Sequence, residues 1–211
     1  MKTPAHINEN CRNCSSRHHS VFAELQGDNL ENLSSHKLCG FYKKGQIIFH
    51  EENFPTGLYC IRTGAVKLSK ISANGKEQIV RLAGEGNVLG YRALIGGEAY
   101  ASTAVVMEDS TICHVPRDTF FELITTDSHL SARIMRLLTS ELKMAEARIV
   151  DLAHKSVKER LAETLLLLAE KFGTKEDGVT IDIRLTREDL ANMIGTATES
   201  VIRLLSELQK T

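Results

Sequence analysis

The sequence predicts an α+β protein with three parts: an N-terminal β-roll, a long dimerisation helix and a C-terminal helix-turn-helix. Three observations predict it. Short β-prone segments separated by turn signals fill Phe41 to Val115. Apolar residues at spacings of three and four take over after Phe120. Two short helical segments then meet at a glycine near the end of the chain.

The first part rests on segments such as Gln46-Ile47-Ile48-Phe49, Gly57-Leu58-Tyr59-Cys60-Ile61, Ala65-Val66-Lys67-Leu68 and Gln78-Ile79-Val80-Arg81-Leu82. They are rich in β-branched and aromatic residues and are punctuated by Lys44-Gly45, Thr63-Gly64, Asn74-Gly75, Gly84-Glu85-Gly86 and Gly96-Gly97. Regular punctuation of this kind marks an all-β sandwich or roll. The strongest hairpin signal is Asn74-Gly75, between Lys67–Ile71 and Gln78–Leu82.

The second part rests on Leu130, Ile134, Leu137, Leu138, Leu142, Ala145, Ile149 and Leu152, with charged residues between them. This is one long amphipathic helix capped at Asp127 or Ser128. Its apolar stripe is narrow and close to a 3.5-residue repeat, which favours a seam with a second helix over packing on its own β-roll. A further helix is expected over Val157 to Phe172, stopped by Gly173, and a short strand over Gly178 to Ile183.

The third part rests on the run from Thr186 to Leu205. Thr186 and Asp189 form a capping box, Gly195 ends a two-turn helix, and Thr196 with Glu199 suggests a second box. Ala191 lets the two helices approach, and Gly195 tolerates the positive φ of the turn. Leu190, Ile194, Val201 and Leu204 supply the apolar contact between them. Thr196, Thr198, Glu199, Ser200 and Arg203 lie at the front of the second helix, the one that enters the major groove of double-stranded DNA. Arg203 suits a guanine edge and Glu199 a cytosine amino group, although capping alone would also explain Glu199. Thr186, Arg187 and Ser200 suit phosphate contacts. The expected parts are thus a Cys-containing segment over 1–20, a β-roll over 21–126, a dimerisation helix over 127–153 and a DNA-binding domain over 154–211.

Composition sets bounds on function. The chain has 211 residues, 42% hydrophobic and 25% charged, with 26 Lys+Arg against 27 Asp+Glu. These are the fractions of a folded protein of one or two domains, not of a disordered chain. No run is long enough to span a bilayer, and the start from Met1 to Cys14 has no signal-peptide core, so a cytoplasmic protein with no membrane partner is expected. A formal charge of −1 excludes broad polycation behaviour. With no Trp, a stacking platform for single strands is disfavoured. Five cysteines, an odd number, argue against a disulfide framework and leave buried thiols, a metal site or a redox site.

Lys44-Gly45-Gln46-Ile47-Ile48-Phe49, Gly57 to Gly64, Glu85-Gly86-Asn87-Val88-Leu89-Gly90 and Leu185 to Leu205 together resemble the Crp–Fnr superfamily of bacterial transcription regulators. The resemblance implies a sensor domain like those that bind cyclic nucleotides. It implies a homodimer on a two-fold operator with a TGA-like core, with RNA polymerase as a further partner. Glu199 and Arg203 match the family's base-reading pair, while Ile202 stands where the Fnr branch tends to have Ser. A hinge near Ala153–Ser156 would pass the signal on. The family follows its recognition helix with a β-hairpin wing. This sequence stops at Thr211, so either it is a fragment or the protein lacks the wing, and Leu204, Leu205 and Leu208 are expected to be partly uncovered.

The same resemblance bears on the input. Cyclic-AMP-binding members have Glu where this chain has Tyr91, and an Arg-Ser pair where it has Ala101-Ser102, which argues against cyclic AMP. An effector pocket is expected around Gly90, Tyr91, Arg92 and Ser102. The Fnr branch holds an iron–sulfur cluster, and Cys11, Cys14 and Cys113 fall at three of its ligand positions. Ser20 replaces the third N-terminal cysteine, leaving Cys39, Cys60, His18 or His19 as candidates for the fourth ligand. The alternative is that Cys60 and Cys113 are ordinary strand thiols and Cys11 and Cys14 lie in a loose tail. Two other functions compete: a ligand-binding module acting by protein contact without DNA, and a thiol oxidoreductase using Cys11 and Cys14. No nucleophile–base motif supports the enzyme.

Overall fold

A computed structural model of the chain describes residues 10–209. The first nine residues of the expected 1–20 segment, and the last two of the sequence, lie outside the described residues.

Two compact units are present. One comprises the described residues up to Ser69 together with Arg81–Ser140, and the other Lys70–Val80 with the chain from Glu141. In the first, 3-10 turns at Cys11–Asn13 and Ser15–His19 lead into α1, Gly27–His36. Eight strands follow: β1 Leu38–Tyr42, β2 Ile47–Phe49, β3 Gly57–Thr63, β4 Val66–Ile71, β5 Glu77–Ala83, β6 Val88–Leu89, β7 Thr103–Val106 and β8 Ser110–Pro116. A short α2, Tyr91–Gly96, separates β6 from β7. The strands form two four-stranded sheets, in the orders β1-β8-β3-β6 and β2-β7-β4-β5, so sequence neighbours are shared between sheets as in a roll.

In β8 both faces are covered: Ser110 and Ile112 are buried on one, and Cys113 and Val115 on the other. Leu58 and Val88 join Phe120 and Leu123 of α3, Arg117–Thr126, and Leu130 and Ile134 of the following helix in one apolar cluster. The hairpin at Asn74-Gly75 forms as expected between β4 and β5. Only Gly75 takes positive φ there, so the turn is not the two-residue mirror-image type in which Asn74 would also have φ above zero.

Helix α4 runs Ser128–His154, 27 residues, close to the expected span. The Asp127 carboxylate accepts from the Leu130 amide at 2.9 Å and so caps its start. Helix α5, Val157–Phe172, begins with a complete Ser156–Glu159 capping box and ends at Gly173. The strand expected over Gly178 to Ile183 is not formed. A single bridge, Thr174 to Ile181, takes its place in a turn held by the Asp177 carboxylate, which accepts from the Val179 and Thr180 amides. β-branched residues alone do not make a strand when no neighbouring ladder extends the pairing.

Helix α6, Arg187–Ile194, and helix α7, Thr198–Leu208, complete the second unit. Leu190, Ala191, Ile194, Val201 and Leu204 are buried there with Leu161 and Leu168 of α5. The expected uncovering of the recognition helix is confined to its end: Leu204 is buried, Leu205 half-buried and Leu208 exposed.

Candidate nucleic-acid interface and a cysteine-lined cavity

In the second unit, Thr186 accepts from the Asp189 amide at 2.9 Å, and the Asp189 carboxylate accepts from the Thr186 amide at 3.1 Å. That box fixes the start of α6. Gly195 has φ 68°, the left-handed conformation that turns the chain into α7. The second box expected at Thr196 and Glu199 is absent. The N-cap of α7 is Ala197, with no side-chain cap. The turn places the helix start one residue later than the sequence pattern suggests, and Glu199 therefore falls in the first turn as an exposed acid.

Burial of Val201 and Leu204 against α6 turns the opposite face of α7 to solvent. Glu199, Ile202, Arg203 and Ser206 are exposed on that face. Glu199 and Arg203 lie one turn apart, and Arg203 donates to Glu207 at 2.9 Å across the next turn. Thr196, Thr198 and Ser200 are half-buried, while Thr186 and Arg187 are exposed at the start of α6. The structure thus brings the predicted DNA-facing residues to the two helix N-termini of one unit, except Arg203, which lies in the middle of α7. Sequence reasoning missed how α6 ends. Its last carbonyls, Asn192 and Met193, accept from the Gln78 amide at 2.6 and 3.2 Å, and Met193 also accepts from Arg148 at 2.5 Å. No local signal could have joined residues so far apart in the chain.

In the first unit the four expected effector residues differ in burial. Tyr91 is among the largest fully buried side chains and belongs to the apolar cluster. Ser102 is buried, and Arg92 is exposed on α2.

A cavity of about 40 Å³ is lined by all five cysteines and by none of those four residues. Cys11 is held by its own backbone, whose amide donates to Ser34 Oγ at 3.1 Å. Arg17 donates to the carbonyls of Cys11, Phe22 and Ala23 at 2.8–2.9 Å and staples the segment down, so Cys11 and Cys14 are not in a loose tail. Gly86 admits this segment: a Cβ there would stand 3.0 Å from the Ser16 carbonyl. The other three cysteines form a row across adjacent strands. Cys39 of β1 faces Cys113 of β8, which on its other side faces Cys60 of β3.

Cys39 and Cys113 are joined by a disulfide, although the odd cysteine count argues against a disulfide framework. Directly opposed residues on paired antiparallel strands have their Cβ atoms close enough for the bond, a relation set by register rather than by cysteine count. Cys11, Cys14 and Cys60 remain thiols. Burial pushes the thiols of Cys11 and Cys60 up from their ordinary value. Lys37 Nζ donates to Cys39 Sγ at 3.4 Å. Ser20, at the family's third cysteine position, donates its hydroxyl to the Arg17 carbonyl at 2.7 Å.

With the disulfide closed, the residues do not fit the iron–sulfur cluster that the Fnr branch implies. Cys113 is taken, and among the described residues no three His, Cys, Asp or Glu side chains are placed to hold a metal ion. His18 and His19 are both exposed or half-buried in the 3-10 turn and do not line the cavity. Among the described residues no helix is long and apolar enough to cross a membrane.

A β-roll followed by a long helix and a helix-turn-helix with a polar outer face is the architecture of a DNA-binding transcription regulator. The comparisons agree. Residues 40–127 match the cyclic nucleotide-binding domain and residues 159–211 the Crp-like helix-turn-helix domain. The fumarate and nitrate reduction regulatory protein of Yersinia pestis is 32% identical over 188 residues, covering 89% of this chain and 74% of that one. The anaerobic regulatory protein of Aggregatibacter actinomycetemcomitans is 29% identical over 204 residues, covering 95% and 78%. The structure of FixK2 from Bradyrhizobium japonicum aligns with a TM-score of 0.74 at 25% identity, over 82% of this chain and 85% of that one. The c-di-GMP responsive regulator CLP of Xanthomonas campestris shares the fold, with a TM-score of 0.73 at 20% identity over 86% and 91%. The chain belongs to the Crp–Fnr superfamily of transcription regulators, and its domains and relatives are those of regulators, not enzymes.

Proposed function

We propose that the chain acts as a homodimer on a two-fold DNA site, each α7 reading a TGA-like half-site through Glu199 and Arg203. The observation that carries this reading is the exposure of those two side chains, one turn apart, on the face of α7 opposite its buried contact with α6. Arg203 has the fork geometry for a guanine edge, and Glu199 accepts from a cytosine amino group. In the free protein Glu207 holds Arg203, so binding exchanges one charged partner for another.

Dimerisation is supported by α4. Met135, Leu142 and Ile149 recur at steps of seven and are 60%, 61% and 68% exposed. Leu138, Ala145 and Leu152 follow each by three, the a/d pattern of a two-helix seam. The protein would pass a signal from its β-roll to its DNA-binding helices, and RNA polymerase would be the partner at promoters.

The test is a fluorescence-anisotropy titration with a duplex carrying two inverted TGA half-sites, against a duplex with both cores scrambled. Binding should favour the palindrome. Its log affinity should fall linearly with log salt as phosphates release counterions. Arg203→Ala should cost about 1–3 kcal/mol on the palindrome and relax the preference at one base pair. Equal affinity for both duplexes would overturn the base-reading assignment.

A further inference from the structure

The outer face of α7 carries one side chain that reading by Glu199 and Arg203 leaves unused. Ile202 is 49% exposed there, although Val201 before it and Leu204 after it are buried. We propose that Ile202 is a third base-reading residue, an apolar finger that selects a thymine by touching its methyl group in the major groove. The inference rests on the proposed DNA reading and adds to it a base that neither charged side chain specifies.

Helix geometry carries the placement. At 3.6 residues per turn, Ile202, Ser206, Glu199 and Arg203 fall within an arc of about 100° around α7. All four are exposed, and Val201 and Leu204 lie on the opposite side, against α6. Within the arc Ile202 stands at one edge and Arg203 at the other, with Glu199 between them. Thr198 precedes Ile202 by one turn and continues its edge toward the start of the helix. Ile202 therefore faces a base on the far side of Glu199 from the one that Arg203 meets.

The chemistry of the face narrows what Ile202 can do. Ser206 donates its hydroxyl to the Ile202 carbonyl at 2.9 Å, so its proton is spent on the helix itself. The Ile202 side chain has neither donor nor acceptor, and the one apolar group on the major-groove edges of the bases is the thymine methyl. Opposite any other base, the same side chain covers a polar edge and offers it no partner, which costs affinity. A β-branched side chain in a helix holds essentially one χ1 rotamer. The finger is thus aimed before DNA arrives and loses little freedom on docking. A single exposed apolar residue is ordinary on a protein surface. This one is set apart by its place, on a face that otherwise presents Glu199, Arg203 and Ser206.

The experiment uses the whole chain and the anisotropy titration on palindromic duplexes. Preference for the TGA palindrome over its scrambled form is measured first; without it the base reading itself fails, and this inference falls with it. Thymines in each core, and thymines placed on either strand at the base pair directly outside each end of the core, are then compared one at a time with uracil. Uracil lacks the methyl group and keeps every hydrogen-bonding atom. The wild type should show one position per half-site at which uracil weakens binding about fourfold, the worth of one buried methyl, and about fifteenfold when both half-sites are changed. Ile202→Ser should bind the thymine and uracil duplexes equally at that position. Each ratio compares two duplexes on one protein, so partial misfolding of the variant cancels. Preference for the palindrome with no uracil-sensitive position, or the same sensitivity in Ile202→Ser, would overturn the assignment of Ile202 and leave the reading by Glu199 and Arg203 in place.

Discussion

The side-chain amide of Gln78 donates to the backbone carbonyl of Asn192 at 2.6 Å, so a residue of the β4–β5 hairpin caps the C-terminus of α6. Arg148 of α4 adds to the same cap, donating to Met193 and to the carbonyls of Ile79 and Val80 at 2.5–3.0 Å. Asn192 returns a bond to the Glu77 carboxylate at 3.0 Å. The last carbonyls of a helix have no partner within it, and a cation there also meets the negative end of the helix dipole. Hairpin tip, long helix and helix-turn-helix are thereby locked together within the second compact unit.

Arg148→Met keeps the aliphatic stem but removes the guanidinium donor from the carbonyls of Ile79, Val80 and Met193. It should lower the stability of the second unit by about 1–3 kcal/mol. Chemical denaturation followed by helix circular dichroism checks this. An unchanged midpoint would show that water replaces the guanidinium at no cost.

The exposed stripe on α4 gives a second prediction. Leu142→Glu with Ile149→Glu places like charges along the seam and removes apolar area worth about 1.5–3 kcal/mol per side chain. Sedimentation equilibrium should show the wild type as a dimer and the double variant as a monomer with the same helix content. A monomeric wild type would sink the seam.

Gly195 gives a third. A Cβ at this position would have only ordinary contacts, 3.5 Å from Gln78 Oε1 and 3.6 Å from Leu152 Cδ2, so the cost of Gly195→Ala is backbone strain at φ 68° and not collision. It should destabilise the unit by about 1–2 kcal/mol and weaken DNA binding by misaligning α7. Thermal melting and the anisotropy titration read the two effects separately.

Asp177 gives a pH signature. The Thr180 hydroxyl and the amides of Thr180 and Val179 hold its carboxyl down to about 2. A carboxyl depressed on folding stabilises the fold above its unfolded value of about 4. That contribution fades as pH falls through about 2. The melting-temperature gap between wild type and Asp177→Asn should therefore be constant above about pH 5 and close toward pH 2. A gap independent of pH would assign the effect to something other than the charge.

The helices were legible because their signals are local. Ser156 with Glu159, Thr186 with Asp189, and the glycines at 173 and 195 mark ends within a few residues of the groups they satisfy. The capping box at Thr196 failed because a short turn can start its helix from either of two residues, and packing chose Ala197. The strand near Ile181 failed because a strand needs a neighbour. A motif position does not reveal whether a residue borders a space or is packed in the core, as Tyr91 is.

By itself, then, the sequence determined the order of the parts, the family and the outward-facing pair Glu199 and Arg203, since each follows from spacing along one helix or from motifs read in order. Tertiary structure alone decided that five scattered cysteines share one cavity, that Cys39 rather than Cys60 bonds Cys113, and that Gln78 and Arg148 finish α6. Those relations depend on strand register and on side chains meeting across 45 or more positions of chain, distances over which no local pattern carries information.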